Sequence, residues 1–367
     1  MPEASAPSPL SLGAPMLKFA APLLLLALPS AALATPSRTE AFSNNPAFTD
    51  DTDFLAYPSV LPDIGNNVWL SLSPTAMMGA VSWEGSTQQA MTITNMPMAS
   101  DYPAGWSGVG AVGTSLGPVV LPTEDLAGAA KTPVIAAQGP WLASYTRASG
   151  GKGYALRTSW FASAFSVGGT YSTGEGGDEP SNLAVGGDLT SFGDLGDQVS
   201  LNAFLKKRTI TEDKTTAWGA GLNFVQDGNV DLNGHFLMGP RFHGEDDAVE
   251  AALLIGPTLH LTKIQDVDAM PLQLSLPVVN LAVAYSLRDW LAIRGSAVAG
   301  WVANTTSEDP SEITWDSGAG GMLGMGISQD HASFDFAVNP AWALAGPFAL
   351  SGAAAPMFAT VSARFDL

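Results

Sequence analysis

The chain has 367 residues, and 34 acidic against 15 basic side chains give it a formal net charge of −19. A surface of that sign repels the phosphate backbone, which excludes nucleic acid as a partner. Cysteine is absent, charged residues make up only 13% of the chain and 39 residues are glycine. This composition excludes disulfides and suits thin alternating strands, because a β-barrel hides no thick core.

The chain opens with the features of a secretory leader. Lys18 supplies a positive charge, an apolar run from Phe19 to Leu28 follows, and an Ala-Leu-Ala cleavage signal ends at Ala34. The apolar run is too short to cross a bilayer as a helix. We therefore assign residues 1–34 to a signal peptide, with an uncleaved anchor as the alternative. Met16 is the candidate for the true start, because no basic residue precedes it.

Residues 35–65 are predicted to form an irregular N-terminal segment, because four prolines there forbid a long strand or helix. The sequence reads Asn45-Pro46-Ala47, an acidic run ends at Asp53, and Asn66-Asn67-Val68 opens the first candidate strand. These motifs resemble the start of FadL-like and related uncharacterised outer-membrane barrels. The resemblance is confined to this part of the chain and implies an N-terminal segment inside or under a barrel. A capped Asx-rich loop without family meaning is the alternative.

Strand signals begin at Val68 and continue to the last residue. They are weak up to Ile93, and residues 96–140 are the least legible region, with six prolines and room for a short helix near Thr123. From Trp141 onward, stretches of alternating apolar and polar residues follow one another closely. This period of two is typical of strands with two different faces.

The stretch from Val279 to Val302 carries the clearest of these signals. Its two halves alternate with a period of two on either side of a polar break at Arg288-Asp289, which predicts a hairpin. The last strand alternates in the same way up to Leu367. One parity is apolar and is predicted to face lipid, with Leu281, Val283, Leu291, Ile293 and Val361 as candidates. The other parity is predicted to face the lumen, and on this and other strands the candidates are Asp231, His235, Arg294, Asp335 and Arg364.

The connections between candidate strands differ in length. Arg288-Asp289 is tight, whereas Ala303 to Glu312, Ser172 to Asn182 and Lys206 to Thr215 are longer and polar. Short turns at one rim and longer loops at the other are the outer-membrane arrangement. We therefore predict an all-β, membrane-spanning, antiparallel up-and-down β-barrel of about 14 strands over residues 66–367, with 12 or 16 strands as alternatives. An uncharged stretch from Ala341 to Ala363 could instead form a membrane helix, but glycine and proline interrupt it.

No motif for catalysis or cofactor binding stands out. The four histidines are far apart in the sequence and form no paired zinc spacing, and His235 has no visible activating partner beside Asp231. Acidic runs at 50–53 and 245–247 lack the spacing of a calcium loop and read as solvated loops. We therefore expect no enzyme activity, no cofactor and no metal site.

These features predict a protein of the cell outer membrane that acts as a channel or transporter for small solutes, hydrophobic ones if the FadL-like resemblance holds. A barrel with a plugged lumen that serves as a surface scaffold is the alternative, and a secreted soluble β-sandwich is a second one. The expected partners are outer-membrane lipid, the barrel assembly machinery and an unidentified solute. With Asp366 and Asp316 counted among the inward-facing residues, four acids stand against two bases, and acids such as Glu308, Asp309 and Glu312 dominate the loops. An open barrel would therefore prefer cations weakly.

Overall fold

A computed structural model of the chain describes residues 41–42, 45–49, 53–72, 77–95, 141–161, 164–174, 180–191, 199–225, 230–244, 248–263, 272–305, 313–329, 331–338 and 359–367. The predicted signal peptide at 1–34, the short helix near Thr123, the acidic run at 245–247 and most of the uncharged stretch from Ala341 to Ala363 lie outside these ranges. Within them, no helix is long and apolar enough to cross a membrane.

Sixteen antiparallel strands of the described chain close into one barrel, in which each strand pairs with the next and the last pairs with the first. The strands are β1 (Asn67–Leu72), β2 (Met77–Glu84), β3 (Gln88–Asn95), β4 (Trp141–Ser149), β5 (Lys152–Phe161), β6 (Ala164–Thr173), β7 (Ser181–Ser191), β8 (Val199–Ile210), β9 (Lys214–Val225), β10 (Val230–His243), β11 (Val249–Lys263), β12 (Leu272–Arg288), β13 (Leu291–Thr305), β14 (Ile313–Gln329), β15 (Ala332–Val338) and β16 (Ala359–Asp366).

The prediction of an all-β closed antiparallel barrel is confirmed, and the prediction of about 14 strands is wrong. The shortfall lies in the weakly patterned parts of the sequence. The first two strands have only six and eight residues, and β6 and β7 each carry a Gly-Gly pair that removes two side chains from the alternation. A single closed sheet also rules out the β-sandwich alternative, which needs two stacked sheets.

The two faces of the sheet differ sharply in polarity, and the apolar face is the exposed one. On β8, Leu201 and Leu205 are exposed, whereas Asn202 and Lys206 are buried. On β13, Ile293 and Trp301 are exposed, whereas Arg294 is buried. This pattern inverts that of a soluble sheet, because the polar face is turned inward and the apolar face outward.

The rim that carries the start of β1 and the end of β16 has short turns, such as residues 150–151 and 289–290. The opposite rim carries the longest connections, residues 96–140 and 339–358, which lie outside the described ranges. The expected contrast between the rims is therefore present. The connections between β6 and β7 and between β8 and β9, which we grouped with the long loops, lie at the short-turn rim instead.

The described residues between 41 and 65, which we call the lumenal segment, lie inside the barrel. They include α1 (Asp53–Ala56) and a 3-10 helix (Pro58–Asp63). At one wall, stacked Phe42 and Phe48 pack against inward-facing residues of β10 to β13. At the other wall, Phe54 and the 3-10 helix pack against inward-facing residues of β1 to β4, β7 and β8. The barrel thus has an apolar core after all, and it consists of the lumenal segment and the wall that holds it.

Candidate functional site

Three of the five residues predicted to face the lumen are buried on the inner wall. Arg294 and Asp335 form an ion pair with each other. Arg364 donates from Nε to Asn67 Oδ1 at 2.7 Å and places Nη2 3.1 Å from Asp366 Oδ1. These contacts connect β13 with β15 and β16 with β1, so inward-pointing charges join strands across the wall.

The other two lumen candidates lie on β10. The ring of His235 extends over Gly219 on the neighbouring strand β9, beyond which lies Lys206 of β8. Asp231 pairs in register with Asn223 and Thr262, and its side chain lies outside the described structure.

The residues predicted to face lipid lie on the parity opposite to the buried charges. Leu281, Ile293 and Val361 are exposed, and Val283 and Leu291 are half-buried. Contact of these side chains with lipid stays a prediction.

An ion pair that spans three strands is built around a glycine. Arg157 on β5, Gly168 on β6 and Asp188 on β7 are in register with one another. The guanidinium donates from Nη2 to Asp188 Oδ2 at 3.0 Å and from Nε to Oδ1 at 3.2 Å, and Nη1 contacts Thr170 Oγ1. A Cβ on Gly168 would collide with the Asp188 carboxylate and the Gly187 carbonyl. The bare glycine is therefore what allows the pair to close over β6.

The Arg294–Asp335 pair repeats this design at the other side of the barrel. The strand between the two residues is β14, on which Gly324 pairs with Arg294 and Gly326 pairs with Asp335. A Cβ on Gly326 would meet both the guanidinium and the carboxylate. Charge-assisted pairs of this kind are strong where solvent is excluded, and they tie three strands together at once.

A cluster of cations and aromatic rings holds the lumenal segment at the β8 wall. Arg208 donates from Nη2 to Asp53 Oδ2 at 2.7 Å and lies 4.9 Å from the centre of the Tyr57 ring. The ammonium of Lys206 lies 4.7 Å from the same ring centre and 5.6 Å from that of Phe204. Cation–ring contacts are stronger when the cation is desolvated, and Lys206 and Arg208 are both buried.

Burial raises the pKa of Tyr57 to about 12, an effect that Arg208 opposes and Asp53 reinforces. The phenol therefore stays neutral beside the two cations at physiological pH, and its ring acts as a cation–π acceptor.

Hydrogen bonds and one close backbone approach fasten the rest of the lumenal segment. Asn45 of the Asn-Pro-Ala motif donates from Nδ2 to Asn280 Oδ1 on β12 at 3.0 Å. The backbone N–H of Ser59 donates to Ser172 Oγ on β6 at 2.7 Å. Gly153 on β5 lies directly under the backbone of Pro58 and Ser59, where any Cβ would clash. The wall is therefore shaped to receive this segment on several strands.

The expected slight excess of acids in the lumen stays a prediction, because the side chains of Asp231 and Asp316 lie outside the described structure and Asp366 is only half-buried. The buried ionic side chains alone have the opposite balance on the described inner wall. Its buried ionic side chains comprise five bases and two acids: Arg157, Lys206, Arg208, Arg294 and Arg364 against Asp188 and Asp335. The sequence reading missed Arg157, Asp188, Lys206 and Arg208 as site residues. A signal was present for Arg157, Asp188 and Lys206, because each is adjacent in the sequence to an exposed leucine, Leu156, Leu189 and Leu205 respectively. Arg208 lies between Lys207 and Thr209 and has no such signal.

The described residues contain no group of three or more His, Asp and Glu side chains that could hold a metal ion. The arrangement of the inner wall is that of a polar lumen with paired charges and a seated segment of the same chain. Its chemistry is recognition by hydrogen bonds, ion pairs and ring contacts.

No protein-family model and no curated protein matches the chain. The FadL-like resemblance of the N-terminal segment therefore stays a prediction. Among solved structures, the chain is similar to a bacterial polysaccharide outer-membrane secretin, with a TM-score of 0.47 and 9% identity over 82% of this chain and 97% of that one. It is also similar to the outer-membrane protein Omp33 of Acinetobacter baumannii, with a TM-score of 0.26 and 8% identity over 82% and 96% of the two chains. A third is the siderophore receptor PirA of the same organism, with a TM-score of 0.22 and 9% identity over 86% and 73%.

Proposed function

We propose that this protein spans the outer membrane of a bacterial cell as a 16-stranded barrel and admits small solutes through a lumen that its own N-terminal segment narrows. The observation that carries the proposal is the polarity of the closed sheet. Large apolar side chains are exposed on the outer face of strand after strand, whereas the inner face buries Arg, Lys, Asp and Asn. In water such an outer face would aggregate, but in a bilayer it meets hydrocarbon.

Strand length is compatible with this location. The strands from β8 to β14 have 12 to 17 residues, and a barrel strand needs about 9–11 residues to cross the hydrocarbon layer. A closed sheet also leaves no unpaired edge in lipid, where an unsatisfied backbone group is costly.

The contacts of the lumenal segment favour transport over a permanently plugged scaffold. Apolar packing of Phe42, Phe48 and Phe54 holds the segment in part. The rest of its hold is polar: the Asp53–Arg208 pair, the Asn45–Asn280 bond and the Ser59–Ser172 bond. When the segment leaves the wall, water or solute groups can replace these polar partners, so partial release leaves no polar group unpaired. A scaffold also gains little from buried cations on its inner wall, since apolar residues would stabilise it as well or better.

Membrane insertion is tested by cell fractionation followed by a heat-modifiability gel. We expect the protein in the outer-membrane fraction, with faster migration in SDS before boiling than after, because a closed barrel stays folded in the detergent. Recovery in the soluble periplasm with identical migration of boiled and unboiled samples would contradict the proposal.

Transport is tested by planar-bilayer recording of the full chain and of a variant with a loosened segment, Asp53→Asn combined with Asn45→Ala. We expect small or flickering conductance for the wild type and larger, longer openings for the variant, because the segment then leaves the wall more often. The matched control is Asp63→Asn, which removes an exposed carboxylate of the same segment. Absence of conductance from all three proteins would favour the plugged scaffold.

A further inference from the structure

A shallow cleft of about 200 Å³ lies on the outer face of the barrel at the short-turn rim, where β3 to β6 end. Its lining includes the side chains of Thr87, Arg147, Lys152, Tyr154 and Tyr171. Tyr154 and Tyr171 are exposed on the outer parity of β5 and β6, and Arg147, Tyr154 and Tyr171 are in register across three strands. The cleft therefore lies outside the lumen and faces the surroundings of the barrel.

The sign of the charge in this cleft is opposite to that of the chain. Arg147 and Lys152 line it, and no acidic residue is among its described lining residues, although the chain as a whole has more than twice as many acids as bases. Lys152 is two residues from Tyr154, the register partner of Arg147, so the two bases are diagonal neighbours on one face. Diagonal positions of this kind are about 7–8 Å apart, so the charged ends of two long side chains can contact the same ligand.

The polar groups around the cleft are ordered by side-chain hydrogen bonds. Arg147 donates from Nε to Thr87 Oγ1 at 2.7 Å, and Tyr145 donates to Gln89 Oε1 at 2.7 Å on the same face. The Thr87 contact is the one side-chain hydrogen bond described for the Arg147 guanidinium, which has five N–H donors. The guanidinium is thus oriented and still able to donate to a tetrahedral anion.

The depth of the cleft matches that of lipid headgroups. Arg147 and Tyr154 lie two residues inside the strand ends at Ser149 and Lys152. With a rise of about 3.3 Å per residue and a tilt of about 40°, they are roughly 5 Å from the turn, which is the interfacial level at which Tyr, Lys and Arg anchor membrane proteins. The rim with short turns is the periplasmic one in outer-membrane barrels, so phospholipid is the lipid at this depth.

We infer that this cleft binds the phosphate of an anionic phospholipid headgroup, with Arg147 and Lys152 as the charged ligands and Tyr154 and Tyr171 against the glycerol and upper acyl region. The inference rests on the outer-membrane barrel proposed above. It adds a specific lipid partner at the outer wall that transport through the lumen does not require.

Native mass spectrometry of the full chain in a non-ionic detergent, titrated with phosphatidylglycerol or phosphatidylcholine, tests the site. We expect phosphatidylglycerol to bind more tightly, and the double variant Arg147→Gln with Lys152→Gln to lose roughly tenfold in its affinity. Arg147→Lys keeps the positive charge but not the several N–H donors of the guanidinium. Its affinity for phosphatidylglycerol should therefore lie between those of the wild type and the double variant. The matched control is Lys207→Gln, which removes an exposed base on the outer face near the same rim, outside the cleft.

Two further results would overturn the inference. Equal loss in the Lys207→Gln control would mean general attraction between charges. Displacement of phosphatidylglycerol by millimolar inorganic phosphate as readily as by the lipid itself would indicate a free-phosphate site. Heat modifiability of each variant controls for folding. If the protein inserts into vesicles but binds both lipids equally, the headgroup site is contradicted and the proposed function is not. If the protein does not insert at all, the proposed function is contradicted.

Discussion

At the scale of single residues, bare glycines decide which buried charges can meet. Gly168 lies between Arg157 and Asp188, and Gly326 lies beside Arg294 and Asp335. Any other residue at these positions would fill the space through which the two side chains reach one another. In the sequence, the high glycine content was interpreted as typical of thin β-strands. The structure shows a second role for glycine, which is to let ion pairs cross a strand.

We expect Gly168→Ala to destabilise the barrel by about 2–4 kcal/mol, because the methyl group overpacks the site and separates a buried ion pair. Urea unfolding of the detergent-folded protein, followed by tryptophan fluorescence, measures the change. Gly295→Ala is the matched control, because a Cβ there meets only ordinary contacts at 3.5 Å or more. Equal stability of the two variants would show that Gly168 is not needed for the pair.

The Asp53–Arg208 contact is expected to be the strongest single polar hold on the lumenal segment. Asp53→Ala removes the carboxylate and leaves the buried Arg208 cation facing the Tyr57 ring, at a cost of about 3 kcal/mol to docking of the segment. Limited proteolysis of the folded protein in detergent should then cleave within the segment at least tenfold faster. Asp63→Ala should leave the cleavage rate near that of the wild type, and similar acceleration in both variants would argue against a specific latch.

Docking of the lumenal segment should also weaken in strong alkali. The pKa of Tyr57 is raised from its ordinary value of 10.0 to about 12 by burial. A group whose pKa is higher in the folded state contributes stability that is fully present below the unfolded pKa and is lost as the pH rises through the folded one. Proteolysis of the segment should therefore accelerate between pH 10 and pH 12. The Tyr57→Phe variant should not show this acceleration between pH 10 and pH 12. If its proteolysis rate depended on pH in the same way as that of the wild type, ionisation of Tyr57 would not be the cause.

At the scale of elements, the hairpin of β12 and β13 offers the sharpest test of the lipid-facing wall. Leu281 lies near the middle of β12 and Leu287 near its end, and both are exposed. Lys at Leu281 should cost about 2–4 kcal/mol in a bilayer, whereas Lys at Leu287 should cost about 0–1 kcal/mol, because the penalty depends on depth. Equilibrium refolding into lipid vesicles measures both. Equal costs at the two depths would mean that this face does not lie against hydrocarbon.

At the scale of the whole molecule, two sets of charges compete for the selectivity of an open lumen. Five buried bases against two buried acids line the described inner wall. The acidic loop residues Glu308, Asp309 and Glu312, from which we predicted a weak cation preference, lie outside the described ranges. Mouth charges act within about 8 Å at physiological salt, whereas charges inside a narrow lumen are screened less.

Recordings under a KCl gradient separate the two contributions. Neutralising Glu308, Asp309 and Glu312 together should shift the reversal potential toward anions, and the shift should shrink as salt rises. Neutralising Lys206 should shift it toward cations, with weaker dependence on salt, because this base lies inside the lumen. A reversal potential that neither change moves would mean that ions do not pass the described wall.

The amino-acid sequence by itself determined the class of fold and the two faces of the clearest strands. A period of two in side-chain polarity is a local property, so Leu281 and Arg294 could be assigned to opposite faces without any tertiary information. The same rule extends to Arg157 and Lys206, which were missed as site residues although Leu156 and Leu205 are adjacent to them, whereas Arg208 has polar neighbours on both sides. Strand number was harder, because short strands and Gly-Gly pairs weaken the alternation on which the count depends.

Only the tertiary structure decided what fills the barrel and which charges meet. Arg157 and Asp188 are 31 residues apart and Asp53 and Arg208 are 155 apart, and nothing local to either residue specifies its partner. Their contact depends on strand register and on closure of β16 onto β1, which bring distant positions to one inner wall. The sequence of the Asn45-Pro46-Ala47 motif likewise does not specify Asn280 as a partner. Asn45 reaches Asn280 only because the barrel closes around the segment.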